Sequence, residues 1–124
     1  MNTAVIGFND ACLDVDHDAT WAQAIAGELT FESVHLACST NFKSDDDNTE
    51  NGLEAWFNDL PGNGVDTFDI ADAYNITAPD YSLNFSSTVT AASTTDSRIE
   101  TTSFVGAFEG TDDWSAGWTT QELN

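Results

Sequence analysis

The chain has 124 residues, a formal net charge of −20, and only two basic residues, Lys43 and Arg98, against 22 acidic ones. This balance excludes nucleic acid and anionic membrane surfaces as partners, because binding phosphate requires clustered Lys and Arg side chains. The length predicts a single domain over 1–124, and four Trp and eight Phe argue against disorder. So acidic a surface favours cations, salt-rich surroundings or a basic partner, unless the charge serves only solubility.

The N-terminal segment 3–8 is β-branched and aromatic, and it predicts a strand. Because chain ends fray unless something holds them, we expect this strand to pair with a sheet of its own subunit or of a neighbouring subunit. Val5, Ile6 and Phe8 are the candidate assembly residues, since an exposed apolar edge strand is a liability that proteins normally cover.

Cys12 and Cys38 are the only cysteines, the even number that one disulfide requires. Closing a loop of that length would contribute about 3 kcal/mol to stability by the loop-entropy argument, and a disulfide indicates an oxidising compartment. Two buried free thiols are the alternative. A zinc site is not expected, because the cysteines lack C-x-x-C spacing and the two histidines are scattered.

Three carboxylates at alternate positions, Asp14, Asp16 and Asp18, resemble the start of an EF-hand calcium loop. The match then fails, because Ala19 stands where Gly is expected and Ile25 where the bidentate Glu should be. A calcium site of another kind is the hypothesis here, and a solvated acidic turn is the alternative.

A second acidic run, Asp45, Asp46, Asp47 and Asn48, lies in a segment that predicts a loop. Like charges in a row repel one another, so this loop is either solvated or binds a cation. Calcium is the only cofactor that the sequence suggests.

The middle of the chain predicts further strands at 28–38, 65–70, 81–91 and 98–108. Segment 21–25 fits a helical turn or a strand, and 53–57 fits one helical turn. Asn75 and Asn84 each begin an N-x-Ser/Thr sequence and are candidate glycosylation sites, although plain solvent-facing side chains would explain them equally.

Near the C-terminus, the apolar run Phe104-Val-Gly-Ala-Phe108 leads through an acidic turn into Trp114-Ser-Ala-Gly-Trp118-Thr. This pattern resembles the C-terminal end of a group of secreted surface proteins of marine and Bacteroidetes-type bacteria. The segments LEAWFND (53–59) and ITAPDYSL (76–83) extend the resemblance, which covers about 38–119. In many members this end closes a right-handed parallel β-helix. The resemblance therefore implies an extracellular or cell-surface location and a β-rich architecture.

The expected fold is all-β, a short irregular right-handed β-helix or solenoid-like domain, with a β-sandwich as the alternative. An enzyme is not expected, since the chain has no G-x-S-x-G, no phosphate-binding glycine loop and no H-E-x-x-H.

The leading functional hypothesis is a secreted structural protein, a subunit of an extracellular filament or surface layer that binds copies of itself by β-strand pairing. A calcium-dependent carbohydrate-binding module is the alternative, in which exposed Trp rings stack on glycans. Burial of the Trp side chains should discriminate between the two.

Overall fold

The computed structural model describes residues 1–43, 52–110 and 112–117. This part of the chain forms a small domain of short strands and irregular coil with two helices. The strands are β1 (Thr3–Ile6), β2 (Leu13–Asp14), β3 (Val34–Ala37), β4 (Phe42–Lys43), β5 (Gly64–Val65), β6 (Phe68–Asp72) and β7 (Asp80–Phe85). The helices are α1 (Asp18–Ile25) and α2 (Leu53–Asp59).

Parallel pairing relates the first five strands. Strands β1, β3 and β5 form one parallel sheet in that order, and β2 pairs in parallel with β4. Each pairing joins segments about 30 positions apart, so that Thr3 lies beside Val34 and Leu13 beside Phe42. Strands β6 and β7 differ, because they pair with each other as an antiparallel hairpin. The N-terminal strand thus pairs within its own subunit.

One face of the three-stranded sheet covers the core. Residues in register on parallel strands point to the same face, so Val5 and Leu36 lie on one side together. Leu36 packs in a buried cluster with Val34 and Phe57. Phe57 comes from α2, where Leu53 and Phe57, four positions apart, are both buried on one side of the helix. Burial of this stripe explains why so short a segment is helical.

The opposite face carries a buried histidine that is paired with a carboxylate. His35 of β3 is 5% exposed, and its Nδ1 lies 2.6 Å from Oδ2 of Asp66, just after β5. The Phe85 ring of β7 meets the imidazole at 5.4 Å between centroids, so the β6–β7 hairpin packs on this side. Oδ1 of Asp66 accepts a hydrogen bond from the Ser87 hydroxyl at 3.3 Å. The carboxylate is the partner of Nδ1, whereas the buried Nε2 has no hydrogen-bond partner in the described part of the chain.

The predicted disulfide is confirmed. Cys12 and Cys38 are bonded with their Cα atoms 5.7 Å apart. The bridge joins the residue before β2 to the residue after β3, and it therefore links successive parallel segments. Asn63 ties the same region together. Its Oδ1 accepts the Val34 N–H at 2.9 Å, and its Nδ2 donates to the Phe57 carbonyl at 3.0 Å.

The strands predicted over 28–38 and 81–91 are wrong in extent, and the one predicted over 98–108 is wrong altogether. The prediction over 28–38 is too long, because Ser33 has a left-handed φ of 51° that interrupts the extended backbone before β3. The described residues contain no strand over 98–108, where Gly106 has a φ of 103° and donates its N–H to the Asn2 carbonyl at 2.9 Å. The strand predicted over 81–91 ends at Phe85, and 21–25 is helical as part of α1.

Candidate assembly edge and ligand cleft

The outer edge of β1 exposes backbone groups. The N–H of Thr3 donates to Ser33 and that of Gly7 to Ala37, so the odd-numbered residues of this strand face β3. The backbone N–H and C=O groups of Ala4 and Ile6 therefore point away from β3. No other strand of the described part of the chain pairs with β1 on this side.

A cavity of about 260 Å³ lies against the core-facing side of β1. Its lining is mostly apolar and comes from β1, β2, β3, α2 and the coil before β3: Met1, Thr3, Val5, Cys12, Leu13, Thr30, Phe31, Val34, Leu36 and Phe57. This cavity is half open to solvent, so the apolar core is partly uncovered at the β1 end.

The three candidate assembly residues do not share one face. Val5 lines the core-side cavity, whereas Ile6 points to the other face and lines a cleft with Ile70 and Tyr74 of the hairpin region. Phe8 follows the strand and is 62% exposed. These residues therefore lie on or next to the same edge strand, but their side chains do not form one surface.

The first candidate calcium segment spans the end of β2 and the start of α1. Asp14 ends β2, and Asp18 begins α1. Desolvation raises the pKa of the Asp14 carboxyl, and a hydrogen bond and repulsion from Asp16 raise this pKa further, whereas Lys43 lowers it. Lys43 Nζ lies 3.7 Å from Asp14 Oδ2 and 3.0 Å from Asp10 Oδ2.

Asp14 and Asp16 are thus brought together, but with a lysine beside them. Among the described residues no group of three or more His, Cys, Asp or Glu side chains is arranged to hold a metal ion. The second candidate segment, Asp45, Asp46, Asp47 and Asn48, lies outside the described residues.

The two candidate glycosylation sites occupy different settings. Asn75 closes a turn, where its Oδ1 accepts the N–H groups of Thr77 and Ala78, both at 3.0 Å, and its Nδ2 donates to Asp72. Asn84 lies exposed on β7 opposite Asp69. The Asn84 amide is accordingly the more accessible of the two.

The Trp side chains divide between packing and exposure. Trp21 and Trp56 meet edge to face at 5.8 Å, and both are half-buried. Trp114 is 55% exposed, and Trp118 lies outside the described residues. The exposed indole stacks on Phe108, with ring centroids 5.3 Å apart and an interplanar angle of 11°.

Next to this stack is an open cleft of about 160 Å³. The ring of Tyr81 lies 5.0 Å from that of Phe108, and the Trp114 Nε1 donates to the Ala107 carbonyl at 2.8 Å, which fixes the indole. The cleft combines aromatic and acidic walls and is lined by Pro79, Asp80, Tyr81, Phe108, Gly110, Asp112 and Asp113.

Two of the cleft carboxylates are held in place by serines. Asp80 Oδ1 accepts the Ser82 N–H at 2.9 Å, and Asp113 Oδ1 accepts the Ser115 N–H at 2.9 Å. The hydroxyl and then the backbone N–H of Ser82 lower the pKa of Asp80. Hydrogen bonds to the charged form keep the carboxylate ionised.

Comparison with known proteins gives no match to a family, to a curated protein or to a solved structure. In the described part of the chain, no helix has the length and apolar character needed to cross a bilayer.

Trp114 and the turn after Phe108 were identified from the sequence as part of a pattern. The sequence carried no signal that would place Tyr81 beside them, because that contact joins positions far apart in the chain.

Proposed function

We propose that the chain is a non-enzymatic structural protein that assembles into an extracellular filament or surface layer by stacking β-strands between copies of itself. The observation that carries the proposal is the outer edge of β1, where the backbone groups of Ala4 and Ile6 have no strand partner in the described chain. Such an edge is a template for pairing with another chain.

The sheet offers a complementary edge at its other end. Asp66 donates its N–H to the Leu36 carbonyl, so the backbone of Val65 in β5 points away from β3. Pairing β5 of one copy with β1 of the next would continue the order β1-β3-β5 in parallel. This contact is heterologous, and contacts of that type generate fibres when the rotation between copies does not close a ring.

The cavity beside β1 gives the same contact a hydrophobic contribution. A neighbouring strand seated on the edge would bring side chains towards Val5 and Leu36, which line that cavity. Removing apolar surface from water contributes about 25 cal/mol per Å² before the entropy of association is subtracted. Main-chain hydrogen bonds would supply affinity, and the cavity would fix the register.

The parallel pairings about 30 positions apart support a short, irregular, right-handed solenoid as the finer description of the fold. Handedness follows the general rule for parallel crossover connections. Stacking in this way adds three strands per copy, and at ~4.8 Å per strand the filament repeats about every 14 Å.

The test is a proline on the free edge. Ala4→Pro removes an N–H that the fold does not use, and proline is tolerated where an edge strand's N–H faces solvent. Ala4→Ser is the matched control, because it keeps the N–H at similar volume. We expect the wild-type chain and Ala4→Ser to form threads in sedimentation and negative-stain microscopy at raised salt, and Ala4→Pro to stay monomeric with an unchanged circular dichroism spectrum.

A wild-type chain that stays monomeric at high concentration and raised salt contradicts the proposal. So does a folded Ala4→Pro that forms the same threads. The extracellular or cell-surface location is part of this proposal, and the Cys12–Cys38 disulfide supports it.

Calcium is proposed as a factor that relieves repulsion between Asp14 and Asp16. Hard divalent cations bind flexible clusters of carboxylate oxygens, and a ligand that binds only the folded state raises its melting temperature. The melting temperature should rise with calcium chloride and fall with a chelator, whereas Asp14→Asn should lose the response. An equal rise in melting temperature with sodium chloride at the same ionic strength would show that calcium acts only by screening charge.

The second candidate is calcium-dependent carbohydrate binding, which the exposed indole of Trp114 supports. Sugars stack their C–H faces on such rings. Titration of neutral oligosaccharides against the fluorescence of the wild-type chain and of Trp114→Ala tests this candidate. Saturable quenching in the wild type only would favour it, and no response with any neutral glycan would remove it.

A further inference from the structure

The side chains that line the cleft beside Trp114 offer several hydrogen-bond acceptors and one donor. Of the residues that line it, Asp80, Asp112 and Asp113 contribute carboxylates, and only the Tyr81 hydroxyl is a side-chain donor. Sugar hydroxyls both donate and accept, so the side chains of the cleft would match mainly the donors of a saccharide. A guanidinium or ammonium group only donates, and it therefore matches this set.

The three carboxylates are not neutralised by the chain's own cations. The sequence has one Lys and one Arg. Lys43 lies beside Asp10 and Asp14, and Arg98 forms two hydrogen bonds with Asp96, Nε to Oδ1 at 3.0 Å and NH2 to Oδ2 at 2.6 Å. The cleft carboxylates therefore remain open to a cation from another molecule.

The aromatic rings in and beside the cleft favour a flat cation. Tyr81, Phe108 and Trp114 form a continuous run of rings, with neighbouring centroids 5.0 and 5.3 Å apart. A guanidinium is planar, stacks on aromatic faces and binds carboxylates with two parallel hydrogen bonds. The cleft is also small, about 160 Å³, below the roughly 300–1,000 Å³ of pockets for drug-sized ligands. It suits one side-chain head group.

We propose that this cleft binds the guanidinium group of an arginine side chain on a different, basic protein. The guanidinium lies against the rings of Tyr81 and Phe108, and the carboxylates of Asp80, Asp112 and Asp113 accept its N–H groups. A second copy of this chain is a poorer source of the group, because it is itself strongly acidic and its only arginine is already paired with Asp96. This site is independent of the β1 edge.

The test is a titration of the labelled protein by two-dimensional NMR with N-acetyl-arginine amide. The matched ligand is N-acetyl-citrulline amide, which has nearly the same shape without the charge. We expect saturable shifts of the Trp114 indole N–H and the Gly110 amide with the arginine compound only, and an affinity that falls as salt is raised. Trp114→Phe identifies the indole signal.

Asp112→Asn should weaken this binding about 3- to 5-fold, as loss of one exposed ion pair implies. The Asp112 side chain has no hydrogen bond within the described residues, so the fold does not depend on it. Asp59→Asn, at the exposed end of α2, removes the same charge elsewhere and should change the affinity by less than about 1.5-fold at moderate salt.

Three results would overturn the proposal. One is equal binding of the citrulline compound, and another is a saturable shift of the same signals with a neutral methyl glycoside instead of the arginine compound. The third is a loss of affinity in Asp59→Asn equal to that in Asp112→Asn, because it would show that only the overall charge of the protein matters. None of these results depends on whether the protein assembles.

Discussion

Asn63 is the residue whose removal tests the fold most directly. Its side chain accepts the Val34 N–H at 2.9 Å and donates to the Phe57 carbonyl at 3.0 Å and to the Phe31 carbonyl at 3.4 Å. One amide thereby joins the first residue of β3 to the helix and coil that pack over the core. Val34 is 5% exposed, so water does not readily replace the lost acceptor.

We expect Asn63→Ala to lower the free energy of unfolding by about 2–4 kcal/mol. Leaving the Val34 N–H without a partner costs roughly 1–3 kcal/mol, and losing the bond to the Phe57 carbonyl costs about 1 kcal/mol more. Total stabilities of small domains are about 5–15 kcal/mol, so the loss is large. Urea unfolding followed by Trp fluorescence measures it, with an unchanged m-value expected.

Two variants make the test specific. Asn58→Ala removes an exposed asparagine from α2 and should stay within about 0.5 kcal/mol of the wild type. Asn63→Asp keeps the acceptor for Val34 but sets a carboxylate against two carbonyl oxygens, so its defect should shrink at low pH, where the protonated group donates again. Equal stabilities of Asn63→Ala and Asn58→Ala would refute this account.

Three more perturbations have defined outcomes. Replacing Cys12 and Cys38 together by Ser should cost about 3 kcal/mol in urea unfolding, and an unchanged midpoint would contradict the loop-entropy argument. Phe57→Ala should cost about 3–5 kcal/mol, and Phe57→Leu clearly less, because the ring is fully buried; equal melting temperatures of these two variants would count against that packing. Since the pKa of Asp14 is raised above its ordinary value in the folded state, stability should fall as the pH rises above the ordinary pKa of an aspartate, and Asp14→Asn should gain in melting temperature relative to wild type over the same rise in pH. A constant difference would show that Asp14 does not titrate in this way.

Local signals in the sequence predicted local structure. The β-branched run at 3–8 predicted β1, and the helical turn predicted over 53–57 is part of α2. The strand prediction over 28–38 overshot, because a serine carries no signal for the left-handed backbone at Ser33. The even cysteine count gave the disulfide, since only one pairing was available.

Long-range polar contacts could not be predicted in the same way. His35 finds its carboxylate at Asp66, which periodicity within either strand does not reveal. The cleft likewise joins Tyr81 to Phe108 across the chain. In a protein with 22 acidic residues, any choice of three cleft carboxylates from the sequence would have been arbitrary. The acidic segments 14–18 and 45–48 were chosen as candidate calcium sites only because their acidic residues lie close together in the sequence.

The net charge of −20 connects the two proposals. Stacking β1 on β5 would bring copies of like charge within about 5 Å of each other at the edge, well inside the Debye length of roughly 8 Å at physiological salt. Screening between nearby charges is then incomplete, so assembly needs raised salt or bound cations. An arginine-bearing partner at the cleft would lower the charge of every copy that it occupies. Its binding should therefore reduce the salt concentration at which threads form, in proportion to the occupied fraction of clefts.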